Sequence, residues 1–391
     1  MRWASKLKER PPEMTDLVLK NARIVLADEV VDGSIVVRDG KIAEISTGPS
    51  AIGEDMAGDF VIPGLVELHT DHLEGHYAPR PRVRWNPIAA VLAHDAQVAS
   101  AGITTVFDAL RVGMDEDADL TAADMRLLAN AIEDSVRADR VRADHFIHLR
   151  CEVSAGDCQE GFAVFDGDDR VKLASLMDHA PGQRQFVDFE TYAYYYQRKL
   201  KLNDVEFKAF CDKRMGESAR NSRPNRDVIS AACHARGIVL ASHDDATTAH
   251  VDEAIAQGIR VAEFPTTLEA ANASKGAGLG VLMGAPNVMR GASHSGNVSA
   301  RALAEHGLLD ILSSDYIPFS LIQSAFFLGE VVDGISLPQA MAMVSKNPAD
   351  AVGLTDRGVI EAGRRGDLVR VRVDEHVPVV RTVWREGRRV A

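Results

Sequence analysis

FVIPGLVELHTD, residues 60–71, decides how this chain is read. An apolar run broken by Pro63-Gly64 continues as LVEL and then turns polar at His69, Thr70 and Asp71. That is a buried strand with potentially chemical residues at its C-terminal end. Outward from it the same theme recurs. Apolar strand candidates begin at Ile103 (ITTVFDAL), His145 (HFIHLRCEV), Leu173 (LASLMDHAPG), Ile238 (IVLASHDD), Arg260 (RVAEFPTT), Gly280 (GVLMGAPN) and Leu309 (LDILSSDYIP). Helical patterns such as AADMRLLANAIEDSVRAD, from Ala122, separate most of them. Strands alternating with helices in this way predict an α/β protein, a (β/α)8 TIM barrel. A doubly wound open sheet is the structural alternative, but no G-x-G-x-x-G or P-loop opens a helix to support it.

On either side of the barrel pattern the chain is short-stranded. DLVLKNARIVL and GSIVVRDGKIAEIS, with a turn at Asp39-Gly40, precede it; RGVIEAGRRGDLVRVRV and VVRTVWREGRRV follow it. The expected division is a flexible extension over 1–15, a small β-sandwich from 16–60 and 348–391, and the barrel over 61–347. The two chain ends would then lie close together.

The 391 residues suffice for one large and one small unit, and 46% hydrophobic content is that of a globular protein with a real core. A net charge of −13 excludes a general nucleic-acid or anionic-membrane binder, though not a small anionic substrate met by a local arginine cluster. Cys151, Cys158, Cys211 and Cys233 form no C-x-x-C, which fits free thiols in a reducing cytoplasm. The first fourteen residues lack the apolar segment of a secretory signal, and no apolar run approaches the roughly 20 residues that span a bilayer.

In a TIM barrel the chemistry sits at the C-terminal strand ends. Here those ends carry His69 and Asp71, Glu152, Asp178-His179, His243-Asp244-Asp245 and Ser314-Asp315. Residues i and i+2 of a strand share a face, so His69 and Asp71 can address one ion. Imidazole with carboxylate suits a borderline divalent metal such as Zn2+ or Mn2+, which lowers the pKa of its water toward about 7. A lone buried histidine is more often a core residue. His69, His179, His243 and Asp315 at the strand ends of one barrel favour a metal site instead. His94, His148, His234 and His250 fall on helical or mid-strand patterns and read as structural, whereas His72, His76 and His294 lie near the expected mouth.

Arginines make a second set: Arg80, Arg82 and Arg84 after the first strand, Arg184 after the fourth, and Arg290 in GAPNVMRGASHSGN after the seventh. A guanidinium fork matches phosphate oxygens, and the glycines beside Arg290 let backbone N–H groups approach an anion. Any one of these could be ordinary solvated charge. Three clusters on barrel-top loops of an acidic protein point to a small, phosphorylated anionic substrate, bound by Arg80, Arg82, Arg184, Arg290 and His294.

ELHTD with PRPRVRW, HLRCE, SLMDHAPGQRQF, ASHDDAT, EFPTT, LMGAPNVMRGASHSGN, LDILSSDY and the closing GVIEAGRRGDLV resemble the amidohydrolase superfamily, and within it the PhnM family of phosphonate metabolism, over essentially residues 16–390. The resemblance implies hydrolysis of α-D-ribose 1-methylphosphonate 5-triphosphate to the 5-phosphate and pyrophosphate in the carbon–phosphorus lyase pathway. It implies His69, Asp71, His179 and His243 as metal ligands, and Asp315 as both ligand and general base. One or two ions are expected, zinc foremost with manganese or iron as alternatives, in a homo-oligomeric protein. A carboxylated lysine often bridges two metals in the superfamily. No lysine stands at a strand end here, and Glu152 is a candidate for the bridging carboxylate instead. His72 and Gly75 depart from the family pattern, which has Asn and often Lys there. Two other functions compete: hydrolysis of a C–N bond in a cyclic amide or nucleobase on the same scaffold, and a non-catalytic scaffold role in phosphonate metabolism.

Overall fold

The computed structural model describes residues 16–114, 120–184, 193, 197, 201–291 and 297–391. The expected extension over 1–15 and His294 lie outside the described residues. Two eight-stranded sheets organise the chain.

The first holds β1 (Leu17–Val25), β2 (Val30–Arg38), β3 (Lys41–Thr47), β4 (Glu54–Asp55) and β5 (Phe60–Pro63) from one end of the chain. From the other end come β14 (Leu368–Asp374), β15 (Val377–Arg385) and β16 (Arg388–Arg389). The ends join where β5 pairs antiparallel with β14, Val61 opposite Arg370. The sheet then curls. The Ile42 N–H donates to the Arg364 carbonyl at 2.8 Å and the Gly363 N–H to the Ile42 carbonyl at 2.8 Å, so β3 meets the segment leading into β14. Leu19, Ile24, Ile35, Ile42, Val61 and Trp384 fill the core this encloses.

The second sheet is parallel: β6 (Leu65–Thr70), β7 (Ile103–Val112), β8 (Asp144–Glu152), β9 (Val171–Met177), β10 (Val239–His243), β11 (Val261–Glu263), β12 (Gly280–Gly284) and β13 (Ile311–Ser313), paired in that order. A bridge from Thr70 to Asp315 and the Asp315 N–H donating to the His69 carbonyl at 3.1 Å bring the last strand back to the first. Leu68, Phe107, Leu173, Ala241, Val261, Leu282 and Ile311 meet in one cluster, with Phe146 packed against it. Side chains from all eight strands can meet only inside a closed barrel. The fold expected from the alternating pattern is therefore the fold observed.

The opening stretch shows why a Pro-Gly pair sits between the two sheets. Pro63 ends β5, and the Gly64 N–H donates to the Asp367 carbonyl at 2.8 Å. A Cβ at Gly64 would lie 2.2 Å from Thr104 Oγ1, so only glycine lets the chain pass directly from the small sheet into the barrel. No described helix is long and apolar enough to cross a membrane.

Candidate metal centre

The C-terminal ends of β10 and β11 are built alike. In each, the residue after the strand takes a left-handed backbone, Asp244 at φ 58° and Phe264 at φ 54°. A threonine three residues later, Thr247 or Thr267, then caps the next helix through its side chain. His243 stands directly opposite Glu263 in the parallel register of the two strands. That register explains the central contact of the site. The two oxygens of Glu263 face His69 Nδ1 and His243 Nδ1, each at 3.1 Å.

A carboxylate bonded to Nδ1 takes the N–H of each ring and leaves both Nε2 lone pairs for an ion. Burial pushes both imidazoles down to about 3, so they stay neutral, as ligands must. His179 joins them, its ring 5.5 Å from that of His243. Its Nδ1 lies 2.6 Å from Glu152 Oε2. Burial opposes charge on His179, but the Glu152 carboxylate outweighs it and raises the ring to about 9.

Asp244 completes the group. Its Oδ2 lies 3.4 Å from His243 Nε2 and 3.6 Å from His179 Nε2, buried and without a hydrogen-bond partner among the described residues. An orphaned buried carboxylate oxygen facing two imidazole nitrogens is the donor set a divalent cation satisfies. The residues therefore fit a divalent metal ion. Asp315, also left-handed at φ 56°, lies on the closing seam beside His69. Burial, reinforced by the charge of Asp71, raises its carboxyl group to about 7. Asp71 is half-buried and pairs with the Arg150 guanidinium at 3.2 Å. Buried Glu67 braces the seam, accepting the His69 N–H at 2.7 Å and the Ser314 N–H at 2.6 Å.

Of the residues singled out from sequence, His69, His179, His243, Asp71 and Asp315 gather at this mouth. Glu152 lies directly behind one of them. Both its oxygens are engaged behind His179, by that ring, by the His179 N–H at 3.2 Å and by Ser154 Oγ at 2.6 Å. From there it orients the His179 ring. Arg184 is buried and bound to Asp245 and Glu253, so its charge is already neutralised. Arg80 and Arg82 are exposed on the segment that joins the helices His72–Tyr77 and Pro87–Ser100, and Arg290 is exposed at the end of the helix Ala285–Arg290 after β12. His148 has both nitrogens engaged, by the Leu68 carbonyl and Ser175 Oγ, each at 2.9 Å.

In sequence, Asp244 is noted at its strand end without a ligand's role, and Glu263, Glu67 and Arg150 are given none. Each sits at a strand end or within one of the quoted stretches, and the signal was a buried-strand acid beside a histidine strand.

Comparison with known proteins agrees with this geometry. The amidohydrolase family profile matches residues 178–391. The α-D-ribose 1-methylphosphonate 5-triphosphate diphosphatase of Escherichia coli (strain K12) is 47% identical over 378 residues, 96% of this chain and 100% of that protein. A D-hydantoinase of Rhizobium radiobacter is 36% identical over 97 residues, 24% of this chain and 20% of its own length. Among solved structures, N-acetyl-D-glucosamine-6-phosphate deacetylase from Mycobacterium smegmatis superposes with a TM-score of 0.62 at 17% identity, covering 96% of this chain and 99% of that one, which speaks to fold alone. With a closed barrel, a carboxylate-anchored histidine set and these matches, the chain belongs to the amidohydrolase family.

Proposed function

We propose that this protein is a metal-dependent hydrolase that converts α-D-ribose 1-methylphosphonate 5-triphosphate to the 5-phosphate and pyrophosphate, working in the cytoplasm on phosphonate breakdown. The observation that carries the hydrolytic reading is the convergence of His69, His179, His243, Asp244 and Asp315 at one barrel mouth. The substrate rests on the full-length likeness to the diphosphatase.

His69, His179 and His243 with Asp244 and Asp71 would hold one or two divalent ions, zinc foremost. When bound, such an ion supplies Lewis acidity toward water and phosphoryl oxygen. The chain's own residues do the rest. Asp315 accepts the proton of the attacking water; a carboxyl group held near neutrality is matched to that task. Water oxygen forms a bond to phosphorus, the anhydride P–O bond breaks, and pyrophosphate leaves with the electron pair. Glu152 and Glu263 fix the orientation of the rings in front of them.

Arg150, inside the mouth with a buried Nε that lacks a partner among the described residues, is placed to meet phosphoryl oxygens. Arg80, Arg82 and Arg290 would meet the rest of the triphosphate from the segments that follow the strand ends. Arg184 is assigned to scaffolding instead.

Phosphorus NMR of the zinc-loaded protein with the ribose triphosphate, and with ATP beside it, tests the reading. Pyrophosphate release from the ribose compound with ATP much slower is expected. Release from neither would overturn the substrate assignment and turn the search to cyclic amides. Asp315→Asn should lower kcat by about 10^2–10^4-fold with metal content largely intact; a near-normal rate removes Asp315 as the base. Arg82→Ala should mainly raise KM, and an unchanged KM takes Arg82 out of substrate binding.

A further inference from the structure

Beside the mouth, on the face where the short helix His72–Tyr77 meets the helix Pro87–Ser100, three more imidazoles are packed together. His72 and His76 lie one turn apart on the first helix, their rings 4.9 Å apart and nearly perpendicular. Their Nε2 atoms converge on a single acceptor, Gln97 Oε1, at 2.8 and 3.1 Å. His94, one turn before Gln97, is fully buried; its ring centre is 6.2 Å from that of His72 and 6.1 Å from that of His76. Its Nε2 is bonded to Asp108 at 2.8 Å, but its Nδ1 has no hydrogen-bond partner among the described residues.

We propose that His72, His76 and the side-chain oxygen of Gln97 form a second divalent-cation site, separate from the barrel-mouth centre, for an imidazole-preferring ion such as Zn2+, Ni2+ or Cu2+. Two imidazole nitrogens and an amide oxygen at one point are a ready chelate for such ions. No described carboxylate lies within ion-pair distance of His72 or His76, so among the described residues no anionic partner competes with an ion for either ring. The unpartnered nitrogen of His94 gives the second indication. A water ligand of an ion held at the pair would supply the partner that this buried nitrogen lacks. None of the three proposed ligands belongs to the mouth set, so this site can fill or empty without changing that one's donors.

Equilibrium dialysis of the zinc-loaded protein against Ni2+, with both metals counted by elemental analysis, tests this. One nickel per chain taken up with zinc retained is expected, and both His72→Asn and His76→Gln should weaken that uptake by at least about tenfold. Turnover of the zinc-loaded variants should match the parent. No nickel uptake, uptake balanced by an equal loss of zinc, or uptake unchanged in both variants would each overturn the proposal. The wild-type measurement decides even if a variant folds poorly. Because the readout is metal content, failure here is distinguishable from failure of the proposed hydrolysis.

Discussion

Glu263 touches no ion in this proposal, yet it sets two ligands at once. Replacing it with Gln keeps the shape but makes one side of the bridge an N–H2 that cannot accept from an imidazole. Metal affinity should fall by about 10–100-fold while the fold holds, as competition with a chelator would show. Undiminished affinity would mean that the rings are oriented by packing alone. A second buried carboxylate pair carries stability rather than chemistry. His145 lies between Asp108 (2.8 Å) and Asp95 (3.3 Å). Burial disfavours its charge, but Asp108 and Asp95 outweigh burial and raise it to about 10, while Asp108 is lowered to about 2. The raised imidazole gives stability that is fully present below its unfolded value of about 6.5. That stability fades as pH rises from there through about 10. The lowered Asp108 acts at the other end, with stability present above about 3.8 and lost as pH falls toward about 2. Thermal melting of the parent should therefore weaken between neutral pH and pH 10, and His145→Gln should flatten that slope. An identical slope in the variant would refute the assignment.

At the scale of elements, the seam between β6 and β13 is where the barrel is most exposed to a single substitution. Glu67 satisfies one backbone N–H from each side of it. Glu67→Ala would strand two buried donors, at about 1–3 kcal/mol each, and loosen the segment that carries both His69 and Asp315. Urea unfolding should show the loss together with reduced metal retention; a stability loss with full retention would confine Glu67 to the scaffold. All eight barrel strands were legible from apolar runs ending in polar residues, because burial on both faces leaves that mark in any order of strands. The partners of the site were less legible, for a local reason. Alternation along an ideal strand would put the neighbours His243 and Asp244 on opposite faces. The left-handed backbone at Asp244 breaks the alternation, and both reach one point. In the same way an arginine in a loop looks free in sequence, and only the fold shows Asp245 and Glu253 closing on Arg184.

For the molecule as a whole, Asp144 ties the small sheet to the barrel. At the start of β8 it receives Arg357 (2.7 Å), Arg365 (2.7 Å) and Arg385 (3.2 Å), all from the C-terminal part of the chain. Asp144→Asn would remove the counter-charge these guanidinium groups share, although Arg357 keeps Asp356 and Arg365 keeps Asp367, a loss of about 1–3 kcal/mol. The melting temperature should drop while kcat of the folded fraction stays at the parent value, because the mouth lies at the other end of the strands. A fall in kcat without a fall in stability would show that the two ends are coupled. The pairing of β5 with β14 reaches further, into how the protein is made. Some 300 residues separate these partners, so the first strands to leave the ribosome wait for nearly the whole chain before their open edge is covered. Through most of synthesis that edge is available to any other nascent strand, or to a chaperone that shields it.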